Sequence, residues 1–180
     1  MNQQKETTRE HQLAVFTLEG ESFGITVSAI REIIRMQAIT RVPGAPDYVE
    51  GVINLRGKII PMVDLRKRFG FAPAERTNTT RIVVVKSQGQ EVGVIVDAVT
   101  EVLGIADDAV EEVSSAIASE STHCIMGIGK LKDRLIVMLD IDKLLSHGSV
   151  SSFMNDLRDA QSRKLASLDL QGEAAYARTA

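Results

Sequence analysis

From Leu13 to Leu145 the apolar positions fall in short runs and alternations broken by Gly, Pro and charged pairs, a pattern of strands and turns. Leu13–Leu18 and Ser22–Val27 read as strands around a turn at Glu19-Gly20-Glu21. Val27–Met36 is open, because Val27, Ile30, Ile33 and Ile34 also fit a helical stripe. Pro43, Gly44 and Pro46 force a loop. Tyr48–Leu55 and Lys58–Val63 read as strands joined by a tight turn at Arg56-Gly57, and Asp64 can cap a short helix running to Phe69. Further on, Arg81–Val85, Glu91–Val96 and Leu135–Leu139 are strand-like, and Asp140 takes the capping place of Asp64.

The pattern occurs twice. Gly51–Phe69 aligns without a gap on Gly127–Leu145, 76 residues on, and Gly24–Ile34 aligns on Gly93–Leu103, 69 residues on. One longer connection in the second copy accounts for the difference, so both copies keep the same order of elements. Each copy is near the lower size limit for an independent core, which predicts that the two pack together. The expected layout is a polar, frayed N-terminus over 1–11, one β module over 12–79, a second over 80–146, and a linker and tail over 147–180. Asp107 to Thr122 reads as an acidic surface connection. The tail carries a sparse helical stripe at Met154, Leu157, Leu165 and Leu168.

Bulk properties narrow the function more than the fold. A formal charge of −3, 4% aromatic residues and no Trp argue against a nucleic-acid surface. No apolar run approaches the roughly 18 residues of a membrane span, and the polar start lacks the apolar stretch of a signal peptide. One cysteine, Cys124, excludes an internal disulfide framework, and a cytoplasmic protein is the simplest expectation.

The catalytic inventory is thin. His11, His123 and His147 fall in a tail, a loop and a linker, where solvation is the plainer reading than ligation or base chemistry. His123-Cys124 is a tempting pair, but adjacency in sequence does not align a thiolate with its base, and Cys124 reads better as a small apolar strand residue. Gly127-Ile-Gly129 lacks the third glycine of a dinucleotide fingerprint. Asp64 and Asp140 are repeat mates, so capping explains them better than paired-acid chemistry. No catalytic residue, metal or cofactor is implied.

The difference between the copies is the stronger signal. The first hairpin turns at Arg56-Gly57, where the second carries Lys130 and Asp133 around another turn. Arg56 reads either as a solvated charge or as a guanidinium held on a rigid turn, able to grip a carboxylate such as Glu32 and fix a binding surface.

Phe23-Gly-Ile, Arg31-Glu-Ile, Gly51-Val-Ile-Asn-Leu-Arg-Gly57, Ile60-Pro-Met-Val-Asp-Leu-Arg66 and Val92-Gly-Val-Ile-Val-Asp97 together closely resemble the CheW family of chemotaxis coupling proteins, over about residues 12–146. The resemblance implies an all-β fold of two tandem five-stranded SH3-like barrels with short helices and a helical or disordered C-terminal tail. It also implies a non-enzymatic scaffold joining the cytoplasmic tips of chemoreceptors to the histidine autokinase CheA, held at the inner face of the membrane through receptor arrays without inserting into it. By matching position, Ile30, Glu32, Gly51, Arg56, Gly57, Thr80 and Val99 correspond to receptor- or kinase-coupling residues, with Ile33 and Val102 lining the same groove. Val113, Ala116 and Ile117 are implied as contacts to the kinase regulatory domain or to further copies in rings. The alternatives are coupling in a non-flagellar pathway such as twitching motility, or a small enzyme using Cys124.

Overall fold

The computed structural model describes residues 9–113 and 122–146, together with 152–153, 155–160, 162–163 and 166. The chain divides into two compact units, Met1–Leu145 and Ser146–Ala180.

Short strands dominate the first unit. In chain order they are β1 (Glu10–Leu18), β2 (Glu21–Thr26), β3 (Ile30–Arg35), β4 (Val49–Leu55) and β5 (Lys58–Asp64), then helix α1 (Leu65–Arg68). The second copy supplies β6 (Arg81–Ser87), β7 (Gln90–Val96), β8 (Ala98–Ala106), β9 (Val110–Glu111), β10 (Ile125–Lys130), β11 (Leu135–Leu139) and helix α2 (Ile141–Ser146). The ambiguous stretch after Val27 resolves into a 3₁₀ turn at Val27–Ala29 and the strand β3. Pairing with β6 along Ile30–Arg35 decides it, because a sheet neighbour satisfies the backbone that a lone helix would otherwise have to satisfy itself.

Among the described residues the strands form a five-stranded sheet ordered β3-β6-β7-β5-β4 and a six-stranded sheet ordered β8-β1-β2-β11-β10-β9. Under the duplication the two orders coincide strand for strand, and each contains one parallel pair, β5 with β7 or β11 with β2. The register repeats as well: Met62 faces Gly93 in one sheet, and Met138 faces Gly24 in the other. Even the irregularities recur, with bulges between Val49 and Gly51 and between Ile125 and Gly127.

The layout of one barrel per half, 12–79 and 80–146, is corrected by this topology. The five-stranded sheet occupies the continuous stretch Ile30–Val96, while the six-stranded sheet takes Glu10–Thr26 before it and Ala98–Leu139 after it. Each half therefore lends its first two strands to the other half's sheet. The cause is local. β2 and β7 are interior strands, each flanked on both sides in the finished sheet, so the strand that follows cannot lie beside them. The connections that follow, Val27–Ala29 and Asp97, are too short to travel round a sheet and pass directly to the other one.

The expected frayed start over 1–11 is corrected at its end, where Glu10 and His11 pair with Ala106 and Ile105 and His11 Nε2 meets Asp107 Oδ1 at 2.5 Å; residues 1–8 lie outside the described residues. The sixth strand, β9, goes beyond the five expected. Its counterpart in the other sheet is a single bridge between Thr40 and Val52. In both places the chain leaving a sheet's first strand pairs against its far edge, which curls the sheet into a barrel. The all-β architecture of two SH3-like barrels thus stands.

Each barrel has its own core, and the cores are repeat mates. Ile60, Met62, Ile82 and Val84 in one correspond to Ile136, Met138, Leu13 and Val15 in the other. Where Ile53 fills the first core, the second has Gly129, and Ile105 occupies the space, 2.5 Å from where a Cβ on Gly129 would lie. Burial of such branched side chains contributes about 1.5–3 kcal/mol each.

The two helices clasp the barrels together reciprocally. Asp64 accepts from Lys67 N (3.2 Å) and Asp140 from Lys143 N (3.0 Å), the N-caps expected from sequence. α1, which follows the five-stranded sheet, ends at Phe69, whose ring stacks on Phe23 of β2 in the other. α2, which follows the six-stranded sheet, reaches β6, where Ser87 Oγ donates to Asp142 Oδ1 (2.6 Å). Beyond α1, Phe69 and Phe71 lie on Phe23, with ring centroids 5.7 and 6.2 Å away, and Phe23 stacks on Phe16 at 6.0 Å. Four of the five phenylalanines meet in this seam, so the scarce aromatic surface is spent where the barrels join.

In the second unit the described residues are helical, and Ser162 Oγ donates to Arg158 O (2.9 Å). Of the sparse stripe, Leu157 is half-buried, and Met154, Leu165 and Leu168 lie outside the described residues, as does His147.

Candidate functional site

The β4–β5 hairpin presents the site. Arg56 (φ 53°) and Gly57 (φ 84°) both occupy the left-handed region, the signature of a type I′ turn. Asn54 Oδ1 accepts from Gly57 N at 2.9 Å and braces the turn from below. On this base the Arg56 guanidinium forks onto Glu32 of β3, Nη1 to Oε1 and Nη2 to Oε2, both at 2.8 Å. The bidentate grip expected from sequence is therefore present. β3 and β4 stand at opposite ends of the strand order, so the pair closes the barrel across its open side. Arg56 is 74% exposed, and an ion pair so placed adds at most about 1 kcal/mol to stability. Its effect is to fix the direction of a cation that still has three of its five donors for a partner.

Next to Glu32 on β3, Ile33 is exposed, while Ile30 is half-buried where the strand begins. Gly51 and Thr80 are buried and shape the site from within. Gly51 has φ 138°, and a Cβ there would sit 2.1 Å from Thr40 O. Thr80 Oγ1 accepts from Thr77 N (2.9 Å) at the entrance to β6. Val99 and Val102 stand on β8 of the other barrel, 69 residues after Ile30 and Ile33, and Val102 is 60% exposed. Val113 is half-buried just beyond β9; Ala116 and Ile117 lie outside the described residues.

The latch is not confined to one copy, which corrects the reading of Arg56 as the distinguishing feature. Arg134 Nη2 donates to Glu101 Oε1, and Glu101 is the repeat mate of Glu32. Arg134 follows the turn Lys132-Asp133, where Leu131 and Arg134 exchange backbone hydrogen bonds (2.9 and 3.4 Å) and neither turn residue has positive φ. The gapless alignment sets Arg56 against Lys132, two residues short of Arg134, and so conceals the pair. The shared Glu32 and Glu101 were the available signal.

A CheW-like domain model matches residues 12–149. The chain belongs to the CheW family. Its sequence is 34% identical to the chemotaxis protein CheW of Bacillus subtilis, over 80% of this chain and 92% of that one. To the CheW of Klebsiella aerogenes it is 33% identical over 73% of this chain and 80% of the relative. The crystal structure of scaffolding protein TtCheW from Thermoanaerobacter tengcongensis matches with a TM-score of 0.72 at 35% identity, covering 78% of this chain and 96% of that one. These relatives place the chain in a chemotaxis scaffold family.

Within this CheW-family fold a second bidentate ion pair lies at the crossover between barrels. Arg66 donates to both oxygens of Asp97 (2.7 and 2.6 Å), and Asp97 also accepts from Glu19 N (2.9 Å). The hydrogen bonds from Arg66 hold the Asp97 carboxyl below its usual range against the opposing effect of burial. The Arg66 guanidinium is correspondingly raised.

Cys124 is buried at the turn before β10, and desolvation pushes its thiol pKa up, the reverse of what a nucleophile needs. It is the repeat mate of Tyr48: the carbonyls of both accept at 2.8 Å, from Asp140 N and Asp64 N. Cys124 therefore has a packing role. His123 Nε2 lies 3.1 Å from Lys143 O, near the N-terminus of the clasping helix α2. No helix among the described residues is long and apolar enough to cross a membrane.

Proposed function

We propose that this protein is a coupling scaffold that holds the cytoplasmic tips of chemoreceptors and the regulatory domain of the histidine kinase CheA in one geometry, without chemistry of its own. The observation that carries this reading is the Arg56–Glu32 fork, set on a rigid type I′ turn beside the exposed Ile33, in a chain of the CheW family. A receptor helix would seat apolar anchors against Ile30, Ile33, Val99 and Val102, and Arg56 would fix its polar register. Glu32, Gly51, Gly57 and Thr80 keep that surface in shape. Val113, with Ala116 and Ile117, is the proposed contact to the kinase domain or to further copies in rings, where repetition turns weak contacts into stable assembly. Its place is then the cytoplasmic face of the membrane, within receptor arrays.

The test is co-sedimentation of the protein with receptor signalling fragments and CheA, reading kinase activity with and without it. Arg56→Ala should leave the melting temperature nearly unchanged and impair coupling. Full coupling by that variant would remove Arg56 from the site.

A further inference from the structure

Across strands β3 and β6 the register sets Arg35 directly opposite Arg81. The neighbouring pair, Ile34 and Ile82, belongs to the first barrel's core, so strand alternation turns both arginines to the outer face of the sheet. Directly opposite residues stand with their Cβ atoms about 5 Å apart, and like charges so placed destabilise a sheet. Among the described residues neither arginine has a carboxylate partner. Arg81 instead donates from Nη1 to two backbone carbonyls, Asn78 O at 2.8 Å and Thr80 O at 2.9 Å. These bonds hold its guanidinium and leave the Nε and Nη2 hydrogens, the edge that forks a carboxylate. Arg35 is exposed.

The second barrel shows what such a place accommodates. There the matching pair, 69 residues away from each arginine, is Gly104 of β8 opposite Gln12 of β1. The chain fills that place itself: the Glu10 carboxylate accepts from Gln12 Nε2 at 3.2 Å, and its Oε1 occupies the space that a Cβ on Gly104 would need. In the first barrel the residue matching Glu10 is the uncharged Thr79, whose Oγ1 donates to Asp97 O (3.1 Å). One barrel thus covers this row with its own carboxylate, while the other presents two cations and no carboxylate. The fold requires neither arginine, since the second barrel takes the same strand order without them.

We infer that Arg35 and Arg81 form a carboxylate-binding site for an acidic polypeptide segment supplied from outside the chain. The donors define the occupant. One guanidinium fork satisfies one carboxylate, so two forks side by side call for two acidic side chains. Alternate residues on one side of an extended chain, about 6–7 Å apart, meet that spacing. A chain of formal charge −3 repels acidic partners in general, so a cationic row at one place on it selects where such a partner is admitted. The inference goes beyond the coupling surface proposed above, which uses neither arginine.

The experiment titrates the full-length protein with the peptide acetyl-Glu-Ala-Glu-amide at low ionic strength and follows the arginine Nε–Hε and backbone signals by NMR. The signals of Arg35 and Arg81 should shift and saturate, and acetyl-Gln-Ala-Gln-amide should leave them in place. Arg35→Gln and Arg81→Gln should each weaken binding about fivefold. Lys86→Gln removes an exposed cation further along β6, opposite Glu91, and should bind as the wild type does. Arg35→Gln should also melt no lower than wild type, because it relieves a repulsion, whereas an arginine kept for the fold would lower the melt when replaced. No shift at the two arginines, or equal shifts with the Gln peptide, would overturn the site. Tighter binding of inorganic phosphate than of the Glu peptide would overturn the assignment to an acidic polypeptide. Neither receptor nor kinase enters the assay, so a negative result leaves the coupling function standing.

Discussion

The five-stranded and six-stranded sheets share strand order, parallel pair, bulges and core positions, yet they differ at three matched places. The first sheet turns its outer hairpin with Arg56-Gly57 at positive φ, the second with Lys132-Asp133 at none. The first accommodates its bulge with Gly51 in a left-handed conformation against Thr40, the second with Gly127 outside that region. The crossover into the first sheet is an untied 3₁₀ turn, whereas the crossover into the second is Asp97, bonded to Arg66 and Glu19. What repeats is what the barrel needs to close and pack. What diverges lies on the surface and at the joints, where one copy can specialise without costing the other its fold.

Matched substitutions put that division to the test. The largest contrast should come from alanine at the bulge glycines. Gly51→Ala places a Cβ at 2.1 Å from a backbone oxygen at φ 138°, and is expected to cost about 3 kcal/mol or more. Gly127→Ala meets the movable Val110 Cγ1 at 2.7 Å and the backbone oxygen of Glu111 at 3.0 Å, without positive φ, and should cost less than that. Calorimetric melts of both decide it; equal losses would mean that the bulges are equivalent after all.

Asp97→Asn should come second, at about 1–2 kcal/mol, since it leaves a largely buried Arg66 with a neutral partner. The pH dependence follows from the depressed Asp97 value. The stabilisation is complete above the unfolded carboxylate pKa of about 3.9 and fades as pH falls through the lower folded value. Acid titration of stability should show a shallower loss for Asp97→Asn than for wild type, and superimposable acid limbs would remove Asp97 as the tie.

These joints were the least legible part of the sequence. The duplication, most strands and the two capping aspartates could be read from apolar period and repeat spacing, because each depends on neighbours within a few residues. The exchange of strands could not, because alternation reports that a residue faces a core and not which strand lies beside it. Reading the modules as 12–79 and 80–146 followed the repeat boundary, whereas the sheets follow the short connections at Val27–Ala29 and Asp97. At the site, Arg56, Gly57 and Glu32 were legible from turn chemistry and charge. Arg134 was missed because its hairpin carries the cation two residues further on.

A smaller contrast is expected from valine in the outer turns. Gly57→Val should cost about 1 kcal/mol or more through its positive φ, although no atom stands within 4 Å of the new Cβ. Lys132→Val, in a turn without positive φ, should be nearly neutral. Chemical denaturation of the two variants checks the difference, and coupling should fall only for the first.

The smallest effect concerns the tail. Because Ser146–Ala180 forms a separate compact unit, ending the chain at Gly148 should shift the melting temperature by no more than a few degrees, the response to roughly 1 kcal/mol or less. A much larger shift would show that the first unit depends on the tail.

The insertion of one barrel's stretch of sequence between the two stretches of the other also sets an order of events as the polypeptide is made. Every strand of the inner barrel lies at or before Val96, so that barrel can close once Val96 has cleared the ribosome, while the rest of the chain is still being made. The outer barrel cannot: β1 must wait for β8, and β2 must wait for β11, with Ile25 meeting Leu139 only near the end of the core. Until then Phe16 and Phe23 await strands not yet made, with the rings of Phe69 and Phe71 against Phe23. Pairings this distant in sequence close slowly. A nascent chain stalled with Val96 outside the ribosome and Leu139 still inside it should therefore protect the inner barrel from protease and leave β1 and β2 open to cleavage.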